Sequence, residues 1–364
     1  MPFHDEDASI QSFYDDIDVH HLQPLWALHG LMQPCPPRAA VPTHWSGGEL
    51  TRLARRSGEL IGFDRGGDRR VLSLSNPGLA PKPFATATLW GAIQYLGPGE
   101  CAPAHRHSPA AIRFVLVGSG VDTVVDGTPV PMEPGDLIIT PAGCWHEHRS
   151  AGTGEMMWFD GLDLALIAEL DAMFFDPPKT TSSAQGQAPQ DGAPQNSSVR
   201  PSVEHLRLIS PGLHAVSHHI DTPTPAPAGQ RTRFAWADID AALTASLDEG
   251  VARVRCTKDG SDVMATLRCE FVRIEAGRSF EFAKRAESNI IVVFTGDGSC
   301  TLTGQRDGND GSQKLARFDC VALPTYTATT VTANETLTLF VLSDAPVLIA
   351  LGIADVAKRL ERVG

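Results

Sequence analysis

The chain has 364 residues, of which 42% are hydrophobic and 20% charged, and its formal net charge is −13. This composition is typical of a globular protein with two or three domains and excludes a disordered chain. The acidic balance gives no general attraction to nucleic acid phosphates, and no apolar run approaches the ~20 residues of a membrane-spanning helix. We therefore expect neither a nucleic acid nor a membrane partner. The acidic N-terminus is not a secretory signal and the seven cysteines form no C-x-x-C pair, so we expect reduced thiols in a cytoplasmic protein.

The first half of the chain predicts an arm, helices and a β-barrel. The first 24 residues contain six acidic residues and no lysine or arginine, which indicates a mobile arm leading into a short helix. A second helix is predicted after Trp45, where Ser46 and Glu49 have capping-box spacing. From Arg69 onward, short apolar runs alternate with turn residues, a pattern typical of an all-β sandwich or barrel. These runs lie at 71–74, 92–96, 112–117, 121–125, 137–140 and 156–159. A helix over about 162–175 ends this block.

The second half predicts a linker and a second barrel. Residues 177–202 are rich in Pro, Gln and Ser and contain too few apolar residues to order themselves. A helix is predicted over 236–247, a strand-rich block over 251–342, and a last helix near Asp344. We therefore predict an N-terminal arm with helices (1–68), a first barrel (69–176), a connecting segment (177–230) and a second barrel with a C-terminal helix (231–364).

The two strand-rich blocks have the same spacing of turn glycines. Gly99 and Gly118 flank a strand in the first block, and Gly277 and Gly296 flank one in the second. The separation is 19 residues in both pairs. An internal duplication of a β-barrel explains this repeat.

Three histidines in the first block predict a metal site. His105 and His107 are two residues apart, so both side chains project to the same face of a strand. His146 follows Gly135-x5-Pro141-x-Gly143, a turn that returns the chain to the barrel. Three imidazoles leave about three positions open on an octahedral ion and accept Zn, Cu, Ni or Fe alike. The ligand set therefore predicts a metal without identifying it.

The second block lacks these ligands. Ala283-Lys284-Arg285 occupies the H-x-H position, and Thr329 occupies the position of the third histidine. We therefore expect one metal ion per chain and a second barrel that is structural or serves assembly.

The two motifs, G-x5-H-x-H and G-x5-P-x-G-x2-H, resemble the paired motifs of the cupin family. Ala111 stands where many cupins have a glutamate ligand, so three neutral imidazoles leave the full metal charge available to an anion. Longer stretches resemble one family closely, the bicupin gentisate 1,2-dioxygenases, with the related salicylate and 1-hydroxy-2-naphthoate 1,2-dioxygenases. In the first half these stretches are 24–30, 69–77, 89–96, 105–107, 111–114, 145–148 and 158–163.

This resemblance implies an all-β fold with short peripheral helices, in which two double-stranded β-helix (jelly-roll) barrels form a bicupin. It also implies a non-haem Fe(II) enzyme with one iron per chain that acts on a small aromatic carboxylate and O₂. The expected assembly is a homo-oligomer, namely the tetramer common in that family. Gentisate would be opened between its carboxyl-bearing and hydroxyl-bearing carbons to give maleylpyruvate. Gentisate is favoured over the other two acids because the Ala92 methyl narrows the predicted pocket relative to glycine.

Further residues are candidates for binding substrate. Arg113 lies six residues after His107 and so faces the ligand side, where a guanidinium suits a carboxylate. His148, two residues after His146, can hydrogen-bond substrate or oxygen. The resemblance adds Arg69 or Arg70, Trp90, Gln94 and Asp160, and spacing favours Arg69 over Arg70. Each candidate also has a structural alternative. Arg113 could form a salt bridge at the rim, His148 could lie at the surface, Trp90 could belong to the core, and Asp160 could cap the helix that follows.

Two other functions remain open at the level of sequence. One is a cupin module that binds an aromatic acid or sugar as a sensor, although nothing in the chain resembles a helix-turn-helix. The other is a different cupin enzyme, such as a sugar isomerase or an oxalate-type decarboxylase. Ala111 counts against the latter because those relatives usually use the glutamate ligand.

Overall fold

The computed structural model describes residues 7–31, 38–150, 152, 154–177, 202–210, 213–220, 232–258, 260–303 and 311–354. These residues belong to two units, one N-terminal to Ala39 and one that begins at Ala39 and contains both barrels. The predicted linker over 177–202 lies, except at its two end residues, outside the described residues. No helix in the described part of the chain has the length and apolar character needed to cross a membrane.

The described residues form five α-helices, and two predictions about them need correction. Ser46 precedes the second helix as predicted, but its side chain makes no capping hydrogen bond. Glu49 instead pairs with Arg52 at 2.6 Å, so the capping box is absent. The helix predicted over 162–175 is much shorter, because a strand continues to Leu162 and another begins at Phe175. The helices are α1 (Ala8–Val19), α2 (Gly47–Leu60), α3 (Leu164–Glu169), α4 (Trp236–Ala245) and α5 (Ala345–Ala350).

The strands of the first half form a two-sheet barrel. In chain order they are β1 (Thr43–Trp45), β2 (Arg70–Ser73), β3 (Trp90–Leu96), β4 (Cys101–His107), β5 (Ala111–Val117), β6 (Val121–Val125), β7 (Thr128–Met132), β8 (Leu137–Thr140), β9 (His146–Ser150), β10 (Met156–Leu162) and β11 (Phe175–Asp176). One sheet contains β8-β5-β10-β3-β2 and the other has the order β11-β4-β9-β6-β7. The predicted runs at 121–125 and 137–140 coincide with β6 and β8, and the run at 71–74 is shifted by one residue in β2. The runs at 92–96, 112–117 and 156–159 extend further in β3, β5 and β10.

The second half repeats this architecture. Its strands are β12 (Ser202–Ser210), β13 (Leu213–Ile220), β14 (Arg233–Phe234), β15 (Val251–Lys258), β16 (Ser261–Asp262), β17 (Arg268–Ile274), β18 (Ser279–Phe282), β19 (Asn289–Thr295), β20 (Gly298–Leu302), β21 (Gly311–Leu315), β22 (Cys320–Leu323), β23 (Thr329–Ala333) and β24 (Leu337–Ser343). The barrel sheets are β22-β19-β24-β17-β15-β16 and β18-β23-β20-β21, while β12 and β13 pair only with each other among the described strands. The predicted bicupin fold is confirmed.

Each barrel takes one strand from the other half of the chain. β1 pairs with β22 of the second barrel, and β14 pairs with β8 of the first. A buried aspartate fixes each exchange by accepting a hydrogen bond from the backbone at the start of the following helix. Asp319 accepts from the Gly47 amide at 2.7 Å, and Asp136 accepts from the Trp236 amide at 2.8 Å. This reciprocal exchange ties the two barrels together.

The alternation of side chains along each strand separates two cores. On β5, Val115 belongs to the interior cluster of the first barrel, whereas Phe114 faces the second barrel. The Phe114 ring lies 4.7 Å from the Phe340 ring and 5.5 Å from the Phe271 ring. Because successive residues face opposite sides, Arg113 shares the interior face of Val115. The same rule places residues 158 and 160 of β10 and 92 and 94 of β3 inside the barrel.

The repeated glycines have the same backbone conformation in both halves. The φ angles are +70° and +93° at Gly99 and Gly118, and +76° and +80° at Gly277 and Gly296. A Cβ at Gly118 would lie 2.1 Å from the Glu155 carbonyl oxygen, and one at Gly296 would lie 2.3 Å from that of Thr336. Glycine is therefore required at both turns, for its conformation and for the space.

Candidate active site

Three histidines converge inside the first barrel. His105 and His107 lie on β4, and His146 lies on β9 directly opposite His105 in the strand register. Their ring centroids are separated by 4.3 to 5.6 Å, and one ligand nitrogen from each ring lies within 4.8 Å of the others. The H-x-H spacing and the turn before His146 thus bring together the three predicted ligands.

Backbone carbonyls fix the orientation of all three rings. In each ring Nδ1 donates to a carbonyl oxygen, so Nε2 is left with a lone pair directed into the site. The Nε2 atom of His146 is buried and finds no hydrogen-bond partner in the described part of the chain, which is costly unless a cation binds there. The donor set therefore fits a divalent transition metal. The accepting carbonyls belong to Pro103, Pro109 and Cys144, at 2.9, 2.8 and 3.0 Å.

Burial keeps these imidazoles neutral. Burial, opposed by a backbone hydrogen bond and assisted by the positive charges of Arg69 and Arg113, lowers the pKa of His105 and His107 to about 4. Burial lowers the pKa of His146 still more strongly. A metal ion entering the site therefore displaces almost no protons at neutral pH.

Metal affinity is expected to be nearly independent of pH between about pH 5 and pH 7. An ordinary histidine, with a pKa of about 6.5, binds a proton in this range and so loses metal as the pH falls. His105 and His107 begin to protonate only near their pKa of about 4. Competition titrations of the metal-free chain with Zn²⁺ at several pH values measure this. An affinity that falls tenfold or more per pH unit below about pH 6.5 would contradict the neutral site.

Arg113 is a buried residue of the barrel interior and not part of the rim. It lies on β5 with 3% of its surface exposed. Its Nη1 donates to the Thr140 hydroxyl at 2.6 Å, and its Nε lies 3.5 Å from a carboxylate oxygen of Asp160. Its charge lowers the pKa of all three candidate ligands, so the guanidinium acts on the metal site electrostatically.

Asp160 lies opposite Arg113 in the register of β10 and β5. It does not cap the helix that follows: α3 begins at Leu164, after Asp163. Burial raises the pKa of Asp160 to about 6, although the Arg113 charge opposes this shift. The carboxyl group therefore changes its protonation near neutral pH and can exchange a proton with a bound ligand.

His148 faces the same interior, two residues beyond His146 on β9. It is 1% exposed, so the surface alternative is excluded. Its Nδ1 lies 3.0 Å from the Thr123 hydroxyl, and its ring packs against the Trp158 ring with 4.7 Å between centroids and a tilt of 48°. Burial lowers its pKa well below the usual value, so this imidazole is also neutral.

The two adjacent arginines have different surroundings. The Arg69 guanidinium lies 4.2 Å from the Phe175 ring, which itself lies 5.5 Å from the His105 ring. Arg70 begins β2, pairs with Glu100, and donates to the Gly58 and Ile61 carbonyls at 3.3 Å. Arg69 is thus beside the histidines, whereas Arg70 is engaged away from them.

Trp90 and Gln94 lie on β3 at the positions that face the interior. Gln94 is 7% exposed and pairs in register with Trp158, and Trp90 pairs with Leu162 at the end of β10. Ala92, between them, is fully buried and lies opposite Asp160. The interior side of β3 is therefore adjacent to the Arg113–Asp160 pair.

Sequence reasoning missed three residues of this pocket. Thr140 orients Arg113, Thr123 contacts His148, and Phe175 packs between Arg69 and His105. Thr140 directly precedes Pro141 of the second motif, which is a usable signal. Thr123 and Phe175 have no such signal, because their partners His148 and His105 are 25 and 70 residues away in the chain.

The second barrel contains no comparable group of ligands among its described residues. The candidate metal-binding group found in the described part of the chain is His105, His107 and His146. In the second barrel, Arg253 and Arg255 of β15 both pair with Glu270 of β17, at 2.5 and 2.8 Å.

Known proteins resemble the chain over nearly its full length. The Cupin domain family profile matches residues 92–162, which include all three histidines. The gentisate 1,2-dioxygenase of a Streptomyces species is 38% identical over 96% of this chain and 95% of its own. The 1-hydroxy-2-naphthoate 1,2-dioxygenase of a Nocardioides species is 32% identical over 78% and 70% of the two chains. A crystal structure of the salicylate 1,2-dioxygenase of Pseudoaminobacter salicylatoxidans, as an adduct with gentisate, has a TM-score of 0.75 at 36% identity and covers 96% and 94%.

Proposed function

The chain belongs to the family of the gentisate 1,2-dioxygenases and their salicylate and 1-hydroxy-2-naphthoate relatives, and we propose that it opens gentisate with O₂ to give maleylpyruvate. The cleaved bond joins the carboxyl-bearing carbon to the adjacent hydroxyl-bearing carbon. The observation that carries this proposal is the converging histidine triad beside a buried arginine, in a chain that matches a gentisate 1,2-dioxygenase end to end.

The metal is proposed to be Fe(II), one ion per chain, held by His105, His107 and His146. Bound there, it supplies open coordination positions for a chelating substrate and O₂, and a path for electrons between them. Neutral imidazoles suit this role because they leave the ion's positive charge to attract an anion. The glutamate of other cupins would cancel part of that charge, and Ala111 stands in its place.

The substrate carboxylate is proposed to bind the Arg113 guanidinium. Arg113 is buried and forms an ion pair with Asp160 at 3.5 Å, but its Nε makes no hydrogen bond within the described part of the chain, so a planar substrate carboxylate can supply an acceptor. Arg69, whose charge also acts on His105 and His107, is the second cation for the anion, in preference to Arg70. Trp90 and Gln94 form the wall of the pocket on the β3 side of the substrate's aromatic ring.

His148 and Asp160 are proposed to handle hydrogen bonds and protons at the substrate oxygens. His148 hydrogen-bonds an oxygen of the substrate. Gentisate has one hydroxyl group beside its carboxylate and a second one para to the first. Asp160, with a pKa of about 6, accepts a proton from the second. This pairing favours gentisate, because salicylate has no such hydroxyl.

Oxygen uptake by the iron-loaded chain, measured separately with gentisate, salicylate and 1-hydroxy-2-naphthoate, tests the proposal. Gentisate should give the highest kcat/KM, together with the ultraviolet absorption of the ring-opened product. A preference for either other acid would reassign the substrate within the family. Binding of all three acids without O₂ uptake would indicate a binding module instead.

Ala92→Gly is expected to shift the preference toward the bulkier 1-hydroxy-2-naphthoate by about tenfold, since removing a methyl group from a packed pocket is worth 1–3 kcal/mol. The Ala92 side chain is fully buried on the interior face of β3. The ratio of kcat/KM for the two acids measures the effect. Ala252→Gly in β15, also a buried alanine but in the second barrel, is the matched control and should leave the ratio unchanged. An unchanged ratio in Ala92→Gly would remove this residue from the pocket.

The assembly is proposed to be a homotetramer in the cytoplasm. The N-terminal unit exposes 48% of Phe13, 58% of Leu25 and 71% of Trp26, and apolar groups of this kind mark interaction surfaces. Light scattering of the purified chain at working concentration is expected to give four times the monomer mass. A monomer would contradict the proposal.

A further inference from the structure

His148 differs from the three candidate ligands in what contacts its Nδ1. In the ligands a backbone carbonyl accepts from this nitrogen, which fixes the proton there. In His148 the partner is the Thr123 hydroxyl, with Oγ1 3.0 Å from Nδ1. A hydroxyl can donate or accept, so the tautomer of His148 depends on the direction of the Thr123 hydrogen.

Thr123 is held against His148 by the sheet. The two residues lie directly opposite each other on β6 and β9, and both are buried. The Trp158 ring also packs against the imidazole, tilted by 48° with 4.7 Å between ring centroids. These contacts fix the ring, and with it the direction of the Nε2 atom away from Thr123.

Two acceptors compete for the single Thr123 hydrogen. Met132 Sδ and His148 Nδ1 both lie 3.0 Å from Oγ1. A thioether sulfur is a weak acceptor, whereas a neutral imidazole nitrogen is a good one. We propose that Thr123 is a positioning residue that donates to His148 Nδ1 and so keeps the His148 proton on Nε2.

The tautomer decides what His148 offers to a ligand. With the proton on Nε2, the ring donates a hydrogen bond to an anionic oxygen. With the proton on Nδ1, the ring would direct a lone pair at that oxygen and repel it. This consequence for catalysis rests on the proposed function, since it requires an aromatic carboxylate in the pocket, whereas the tautomer itself does not.

Long-range ¹H–¹⁵N correlation spectra of the full chain, loaded with diamagnetic Zn²⁺, test the tautomer. The His148 signals are assigned by comparison with His148→Gln. The wild-type chain should show a protonated Nε2 and an unprotonated Nδ1. Thr123→Val keeps the shape of the side chain but removes the hydroxyl, so its His148 proton should move at least partly to Nδ1. Thr123→Ser should retain the wild-type pattern. A wild-type ring protonated on Nδ1, or a pattern unchanged in Thr123→Val, would overturn the proposal.

Kinetics of the iron-loaded variants test the consequence. Thr123→Val should lower kcat about tenfold, with a smaller change in KM and unaltered iron content, because tenfold corresponds to about 1.4 kcal/mol, which is within the range of one hydrogen bond. Thr123→Ser should restore the rate. Met132→Leu, which removes the competing acceptor at nearly constant volume, should keep both the tautomer and the rate. If the wild-type enzyme consumes no O₂ with any acid, the proposed function fails, and the spectra still decide the role of Thr123.

Discussion

Replacing any one of His105, His107 or His146 by alanine is expected to abolish metal retention and O₂-dependent turnover. Each ring contributes one of three converging Nε2 lone pairs, and the described residues around them include no carboxylate or thiol that joins the cluster. A site reduced to two imidazoles holds a labile divalent ion weakly. Metal analysis after desalting should fall from about one ion per chain to near zero in each variant.

His44→Asn is the matched control for these variants. His44 lies on β1, where its Nε2 contacts Asp319 of the second barrel at 2.8 Å, so it is a partly buried histidine outside the metal site. This variant should keep its iron and its turnover. Circular dichroism separates loss of the metal from loss of the fold. A His146→Ala chain that keeps its metal, or a wild-type chain that holds two ions, would contradict the single three-histidine site.

Arg113→Ala is expected to lower kcat/KM about a hundredfold and Arg113→Lys at least tenfold, with full iron content in both. A charge-assisted hydrogen bond contributes roughly 1.5–3 kcal/mol, and 1.4 kcal/mol corresponds to a factor of ten. Lysine keeps the charge but not the planar pair of donors. The alanine variant also leaves the buried Asp160 without its 3.5 Å cation, so the pKa of that carboxyl should rise further.

The pH dependence of kcat/KM separates the loss of carboxylate binding from the change in the pKa of Asp160. Because the Arg113 charge lowers the pKa of Asp160, Arg113→Ala should shift the acidic limb of the kcat/KM profile to higher pH. Arg113→Lys should leave that limb near its wild-type position. Arg255→Ala, which removes an arginine paired with Glu270 in the second barrel, is the control and should retain wild-type kcat/KM. If Arg113→Ala kept full iron and wild-type kcat/KM, we would assign carboxylate binding to Arg69 instead.

The metal ligands and the strand pattern followed from local spacing. Alternate residues of a strand share a face, so His105 and His107 had to project together, and this rule also placed Arg113 on their side. The missing ligands at Ala283, Arg285 and Thr329 were equally evident from the sequence. Local sequence patterns gave the wrong bounds where a helix and a strand compete for the same segment. The 162–175 stretch has apolar helical spacing, yet β10 extends to Leu162 and β11 pairs with β4.

Local sequence patterns thus predicted many of the strands, the duplication and the three histidines that converge, because each depends on residues close together in the chain. Which side chains meet across strands became evident from the folded barrel. Asp160 faces Arg113, Thr123 faces His148, and Arg69 rather than Arg70 lies beside the histidines. The exchange of β1 and β14 between the barrels also has no local signal. Strand pairing and register are set by burial over the whole barrel, so neighbours distant in sequence become visible only when the barrel closes.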